Sequence, residues 1–288
     1  MEGYSVLMSV YAGADPGHFR QAVNSMLEQT VQAEEFVLVC DGPLTGELEA
    51  ALCDLVGQHP GLFSIVRLPE NVGAGAAQNI GLHHCSQALV AKMDADDIAV
   101  PDRCEQQLRE FAASPELTIV GGWIAEFDRD PGKPFALRKV PEGQEAICHF
   151  ARRRQPFNNM TVMYRRSAVL AAGGYRRYRR GEDYDLHIRL LHAGYRAKNL
   201  QRVLVSVRVN RDALCRRTSW QTVLGALRCR WNAYRMGYSS GWDLVYCTAG
   251  QMVMCLSPAG LRHILTRRFL RQAVPETGVQ GGKPECVF

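Results

Sequence analysis

The sequence predicts an α/β fold, a mostly parallel sheet flanked by helices, followed by a helical C-terminal extension. Two observations carry this. Short apolar runs recur through the first hundred residues, at Ser5–Tyr11, Phe36–Cys40, Phe63–Leu68 and Ala88–Met93. Segments with apolar residues at helical spacing alternate with them, the pattern of βαβ units.

Each element follows in order. Ser5–Tyr11 is a continuous apolar run, as expected of a strand buried on both faces of a parallel sheet. A loop with Gly13, Asp15, Pro16 and Gly17 leads to a helix marked by Phe19, Val23, Met26 and Leu27, ending near Gln29-Thr30. Phe36–Cys40 is a second buried strand, closed by the turn signal Asp41-Gly42-Pro43. Leu48, Leu52, Leu55 and Val56 mark the next helix, and Phe63–Leu68 is a third strand. The glycine-rich stretch Asn71–Gly81 opens another helix, and Ala88–Met93 is a fourth strand ending in Asp94-Ala95-Asp96-Asp97. Beyond Pro101 come a helix over Cys104–Ala112, an apolar run over Leu117–Ile124, and a hairpin or excursion over Phe127–Pro141. Thr161–Tyr164 is a short strand, Ala168–Ala172 a short helix, Gly173-Gly174 a break, Asp183–Ala193 an amphipathic helix and Ala197–Val209 a strand. From Trp220 to Leu270 the chain reads as helical, and Pro275–Phe288 as a disordered tail. The expected division is a catalytic domain over 1–217, with a nucleotide-binding half to residue 100 and an acceptor half from 101. A helical extension over 218–274 and the tail over 275–288 follow.

Composition narrows the function classes. The 288 residues are 47% hydrophobic and 22% charged, as in globular proteins. The net charge of +5 is modest, and arginines gather at 152–154, 176–177, 179–180, 216–217 and 267–268. Such clusters are either a solvated basic face or a site for phosphates or acidic lipid. No basic and aromatic residues interleave as in a nucleic-acid reader. Ten cysteines stand singly, without zinc-type spacing, and read as reduced thiols. Glu2 occupies the place of a basic n-region and Tyr4–Tyr11 is short for a signal sequence. Cys286 lies third from the end, where no prenylation box is formed. The expected location is cytoplasmic. The uncharged stretch between Asp243 and Arg262 is too interrupted to span a membrane. Trp242, Tyr246 and the arginines beyond suit a helix lying on the inner membrane face, and an ordinary packed helix is the other reading.

Three constellations carry chemistry. Asp94, Asp96 and Asp97 crowd the end of a buried strand, where their charges repel unless something positive is present. A hard divalent cation, Mn²⁺ or Mg²⁺, held by one or two carboxylates and substrate phosphates answers this, against a plain acidic turn capping the next helix. In open α/β sheets ligands sit at the carboxyl ends of the strands, which places Asp41 and Asp94–Asp97 on one edge. Glu182, Asp183 and Asp185 open a helix; a cap accounts for one such carboxylate well and for three poorly. In Asn71–Gly81 glycines and alanines allow close backbone approach at a helix N-terminus, without a Walker A signature.

The ordered set resembles family 2 glycosyltransferases of the GT-A fold, a Rossmann-like architecture, of the bacterial type that builds capsule, exopolysaccharide and lipopolysaccharide chains. The resemblance runs from about Ser5 to Arg217, and more faintly to Arg271. It implies that Ser9-Val10-Tyr11 cradles the nucleotide base, that Asp41 hydrogen-bonds it, and that Asn71, Gly73 and Asn79 belong to the same nucleotide-binding element. Ser25 and Gln29-Thr30 match the family's first helix end. It further implies that Asp94 lies near the ribose and Asp96 on the metal, and that in the pair Glu182-Asp183 the aspartate is the general base. Arg208, Arg216 and Arg217, at and after the last strand, are candidate diphosphate contacts. Gln78 stands where the family usually has arginine, and Asn159-Met160 where His-Pro is commoner.

The implied activity is inverting transfer of a sugar from a nucleotide-diphosphate donor, a UDP-hexose by analogy with dTDP-rhamnose as an alternative. The acceptor is a saccharide or a polyprenyl-diphosphate-linked saccharide, with nucleic acid excluded and a peripheral membrane contact in view. Two other classes compete, a sugar-nucleotide nucleotidyltransferase and a non-catalytic sugar-nucleotide-binding protein. The first needs a basic loop after the first strand, and Tyr11–Asp15 has no basic residue. An acidic pair at 182–183 beside an intact D-x-D speaks against the second.

Overall fold

The computed structural model describes residues 2–176, 178, 181–209 and 220–257. Its first half is β1 (Tyr4–Val10), α1 (Pro16–Leu27), β2 (Glu35–Cys40), α2 (Gly46–Gln58), β3 (Phe63–Arg67), α3 (Ala74–His84) and β4 (Leu89–Asp94). The four strands pair in parallel in the order β3-β2-β1-β4. Successive side chains leave opposite faces of a strand, so a run buried on both faces feeds two cores. Val6, Met8 and Val10 pack with Phe36, Leu38 and residues of α1 and α2. Leu7, Val37 and Val39 face Ala77 and Leu82 of α3 on the other side. Helix α3 reaches the sheet at Gly81, where a Cβ would come within 2.5 Å of Leu7 Cδ1 and 2.6 Å of Val39 Cγ2.

The second half turns the sheet mixed. Its elements are β5 (Ile98–Ala99), α4 (Arg103–Ala113), β6 (Leu117–Phe127), β7 (Ala136–Arg138), α5 (Gln144–Ala151), β8 (Met163–Arg165), α6 (Arg166–Ala171), α7 (Glu182–His192) and β9 (Arg196–Arg208). β8 runs antiparallel to both β4 and β6, β6 is parallel to β9, and β5 closes the far edge. The expected parallel order therefore holds for β1–β4 and gives way to a mixed sheet beyond them. The expected excursion over Phe127–Pro141 contains β7, paired with β6. The strand expected from Thr161 starts at Met163, because Asn159–Thr161 forms a 3₁₀ turn. Thr161 is drawn into that turn by its hydroxyl, which donates to the Asn158 carbonyl at 2.7 Å.

A polar latch joins the halves. Gln29 Nε2 donates to the carbonyls of Ser25 and Val100, both at 2.8 Å, and its Oε1 accepts from Cys104 N at 2.9 Å. The Ser25 hydroxyl accepts from Ala99 N at 3.1 Å. Ser25 and Gln29 thus clamp the segment that follows the acidic turn at 94–97.

The helical C-terminal region resolves into α8 (Trp220–Arg235) and α9 (Gly241–Leu256), and α8 adds Cys229 and Ala233 to the second core. A capping box between Ser240 and Asp243 starts α9. The helix expected over 257–270 and the tail over 275–288 lie outside the described residues, Ser257 apart.

Candidate active site

The site grows from the carboxyl end of β4. Lys92 and Asp94 are two residues apart on one strand and so share a face. Lys92 is fully buried, and its ammonium pairs with the Asp94 carboxylate. Burial alone would push that ammonium down, but Asp94, Asp183 and Asp97 more than offset it and hold Lys92 above the ordinary lysine value. The positive charge that the crowded aspartates require is thus partly supplied by the chain. Asp97 turns inward and accepts from the Arg208 backbone N–H at 3.0 Å, with its carboxyl raised by burial and by its acidic neighbours. Asp96 faces outward, yet the surrounding protein and then the Asp94 charge raise its carboxyl as well.

Asp94, about one third exposed at 34%, and Asp96 are therefore the two carboxylates of the turn left open to solvent. Their mutual charge and hard oxygen donors fit a divalent cation that takes the rest of its shell from phosphates. Among the described residues no three His, Cys, Asp or Glu side chains converge as a ready-made cage.

The neighbouring strands deliver the nucleotide-side candidates. Ser9 lies opposite Asp94 in register, Val10 is buried, and Tyr11 is exposed just past the strand. Asp41 is pinned between loops: its carboxylate accepts from Val72 N at 2.7 Å and Gly73 N at 3.1 Å, and its carbonyl accepts from Asn71 Nδ2 at 3.3 Å. This fixes the entry to α3, where Gly73 takes φ +88°. Asn71, Gly73, Gly75 and Tyr178 line a pocket of about 420 Å³ there. Asn79 does different work. Its Oδ1 accepts from Tyr175 N at 2.9 Å and so holds the Gly173-Gly174 turn against α3. Arg208 stacks over Phe127, donates to Gln21 Oε1 at 2.7 Å, and approaches the Asp96 carbonyl at 3.4 Å, which leaves it at the rim of the acidic turn. Arg216 and Arg217 lie outside the described residues, as do Arg177, Arg179 and Arg180.

Helix α7 brings the second acidic group to the first. Its N-cap Gly181 takes φ +98°, a left-handed conformation that favours glycine. Glu182 lies against Gly75 of α3. Asp183 is half-buried, its Oδ1 is closed off from solvent without a hydrogen-bond partner, and its pKa is pushed up to about 7. Burial is the largest cause; Lys92 and Arg138 pull the value down, while Glu182 and Asp94 push it up. Asp183 and the acidic end of β4 thus share one electrostatic environment, with Lys92 between them. Asp185 is structural: it pairs with Arg189 at 2.8 Å, and Arg189 donates to the carbonyls of Ala172 and Gly174. One turn along α7, His187 is buried, neutral and pushed down to about 3 by burial and then by Lys92 and Arg189.

Sequence reasoning missed Lys92, Arg138 and the buried Arg103, whose guanidinium donates to the Lys92 carbonyl at 2.7 Å behind the acidic turn. Lys92 had a signal: it is a lone cation inside the apolar run Leu89–Met93. Arg138 had none, because its place depends on how β7 folds onto β6.

A parallel half-sheet with an acidic pair at its carboxyl edge, met by a second acidic pair from the mixed half, is the GT-A arrangement. The model for glycosyl transferase family 2 matches residues 5–187, and the chain belongs to that family. It is 38% identical over 269 residues to an uncharacterized glycosyltransferase of Haemophilus influenzae, covering 93% of this chain and 99% of that one. It is 37% identical over 220 residues to the amylovoran biosynthesis glycosyltransferase AmsE of Erwinia amylovora, covering 76% and 81%. It is 29% identical over 269 residues to the Escherichia coli UDP-Gal:alpha-D-GlcNAc-diphosphoundecaprenol beta-1,3-galactosyltransferase, covering 93% and 97%. In fold it is similar to the mannosyltransferase PcManGT of Pyrobaculum calidifontis, solved with GDP-Man and Mn²⁺, with a TM-score of 0.64, 16% identity and coverage of 92% and 79%.

Proposed function

We propose that this chain is an inverting, metal-dependent hexosyltransferase of cell-surface polysaccharide biosynthesis. It moves a sugar from a UDP-linked donor to a polyprenyl-diphosphate-linked saccharide, from a peripheral position on the cytoplasmic face of the membrane. The observation that carries the reading is the juxtaposition of Asp183 with Lys92 and Asp94, groups of two different halves in one electrostatic environment. The relatives' names support a polysaccharide pathway, a UDP-sugar donor and a lipid-linked acceptor.

Each residue then has a task. Ser9, Tyr11, Asp41 and Asn71 form the nucleotide end, Asp41 by fixing the loop that carries Asn71 and Gly73. Asp96, with Asp94, would hold Mn²⁺ or Mg²⁺, which neutralises the charge of the departing diphosphate. Arg208 at the rim adds positive charge on the same side. Asp183 takes the proton of the acceptor hydroxyl as that oxygen attacks the anomeric carbon from the face opposite the leaving group. The C–O bond to the diphosphate breaks as the new C–O bond forms, and the configuration inverts. A general base so placed contributes roughly 10²- to 10⁴-fold in rate. Glu182 beside it raises the base's proton affinity.

The test is nucleotide release from a panel of UDP-, GDP- and dTDP-sugars with Mn²⁺, with and without a polyprenyl-diphosphate disaccharide. Acceptor-dependent release of UDP is the expected result, with the product anomer opposite to the donor. Asp183→Asn should lose transfer while still binding UDP. Near-normal turnover in that variant would remove Asp183 from the base role.

A further inference from the structure

The helical hairpin carries a surface that the transfer reaction does not use. On α9, Trp242, Val245, Tyr246 and Val253 are 80%, 58%, 64% and 54% exposed. Their spacing of three, four and eleven residues from Trp242 puts them on one side of the helix, and the exposed Ala249 fills the gap between them. The row is about 16 Å long at 1.5 Å per residue. On α8 a second row alternates apolar and basic residues, with Leu224 and Trp231 half exposed and Arg228 and Arg235 between and beyond them.

Charge decides what such a surface suits. Between Trp220 and Ser257 the only acidic residue is Asp243. It is buried and occupied, pairing with Arg153 at 2.5 Å and closing the cap of α9. The Arg153 guanidinium in turn lies 5.0 Å from the centre of the Tyr246 ring. The apolar row is therefore bordered by the Arg153 guanidinium and carries no exposed carboxylate. Aromatic rings with polar tips, an aliphatic stripe and fixed arginines together match the interface of an anionic bilayer, where the rings sit at headgroup level. Among the described residues no helix is long and apolar enough to cross a membrane.

We propose that the exposed faces of α8 and α9 form a docking surface for an anionic lipid bilayer, with Trp242, Val245 and Tyr246 as the inserted residues. The surface is tied to the catalytic helix. Cys229 of α8 donates to the Gly181 carbonyl at 3.4 Å, and Arg230 donates to the Tyr184 hydroxyl at 2.5 Å, on either side of Glu182-Asp183. A bilayer bound to the hairpin is thus held at a fixed place relative to Asp183. Delivery of an acceptor tethered in that same bilayer rests on the transferase reading above; the docking itself does not.

The experiment is co-sedimentation of the full chain with phosphatidylcholine vesicles, with and without phosphatidylglycerol, across a salt series. The wild type should pellet with the phosphatidylglycerol vesicles, weaken as salt rises and stay in solution with phosphatidylcholine alone. Trp242→Ser/Val245→Ser should weaken that binding at least about tenfold while leaving the melting temperature and the nucleotide-release rate measured without vesicles unchanged, since both side chains face solvent. Leu224→Ser/Trp231→Ser should weaken it in the same sense. Three results would overturn the proposal: no binding by the wild type, equal binding to both lipids, or unchanged binding by both double variants. So would a double variant that turns a dimer into a monomer without losing vesicle affinity, because the surface would then cover a second copy. Loss of transfer activity with vesicle binding intact would count against the catalytic reading only.

Discussion

Asp183, the proposed general base, has an unusual proton affinity. Its carboxyl is raised to about 7 because burial penalises the anion, and Lys92 keeps the value from rising further. The deprotonated form is the one that can accept the acceptor's proton, so kcat/KM should fall with a single-proton slope as pH drops through about 7. The sign for stability is the reverse. The folded state holds this proton more tightly than the unfolded chain, so the free enzyme loses stability as pH rises through the same range, and Asp183→Asn should escape that loss. Lys92→Met extends the test. Without the ammonium the Asp183 value climbs, the acid limb moves to higher pH, and each unit of movement costs about tenfold below it. The same variant strips Asp94 of its buried partner and should destabilise the fold by about 3 kcal/mol, the low end for a broken pair because Asp94 is partly solvated. Stopped assays across pH and thermal melts of both variants check these outcomes, and a limb that stays in place would separate Lys92 from Asp183.

At the scale of elements, placement of the base depends on glycines that let backbones meet. Gly181 takes φ +98° at the start of α7, and a Cβ there would lie 2.6 Å from Cys229 Sγ of α8. Gly181→Ala should cost about 1–2 kcal/mol from the left-handed backbone alone and push α7 from α8, lowering kcat more than donor affinity. Adding Cys229→Ala should restore part of the activity by relieving the contact but not the backbone term; a single variant with wild-type kcat would refute the coupling. The sequence made some of these elements legible and hid others for physical reasons. β1, β2 and β4 announced themselves because strands buried on both faces are mostly apolar, even with Lys92 inside β4, and the acidic turn at 94–97 stands out directly after β4. Helix α5 stayed unread because only Ile147 and Ala151 are buried, too few for a periodic signal. β5 is two residues long and exists through its pairing with β9. Ser25 and Gln29 were legible as a motif, but their work as a latch depends on hydrogen bonds to Ala99, Val100 and Cys104 some 70 residues away, beyond the reach of spacing.

Across the whole molecule the sheet gathers acids that the sequence scatters. β4 delivers Asp94, Asp96 and Asp97, and α7 delivers Glu182 and Asp183. Lys92 and Arg103 balance them from behind, and at the rim Arg208 alone of the arginines named above reaches Asp96. In the proposed reaction a nucleoside diphosphate would meet the solvent-facing carboxylates Asp94 and Asp96, with Arg208 as the neighbouring cation. Like charges at close range repel, so on that proposal the diphosphate would need a divalent cation to enter. Thermal melts can separate the contributions. UDP without metal should shift the melting temperature little, whereas UDP with Mn²⁺ at about 100 times its dissociation constant should stabilise by about 2.7 kcal/mol. For a chain of this size that corresponds to roughly 5–10 °C. Asp96→Ala should abolish the metal-dependent part of the shift while keeping the wild-type melting temperature without ligands, because its outward side chain holds nothing else in place. Asp183→Asn should keep the full shift, since it acts on the acceptor's proton and not on the donor. A shift that is equally large in the presence of chelator would mean that the carboxylates at 94 and 96 hold the donor without a cation, and the role assigned to the acidic turn would be wrong.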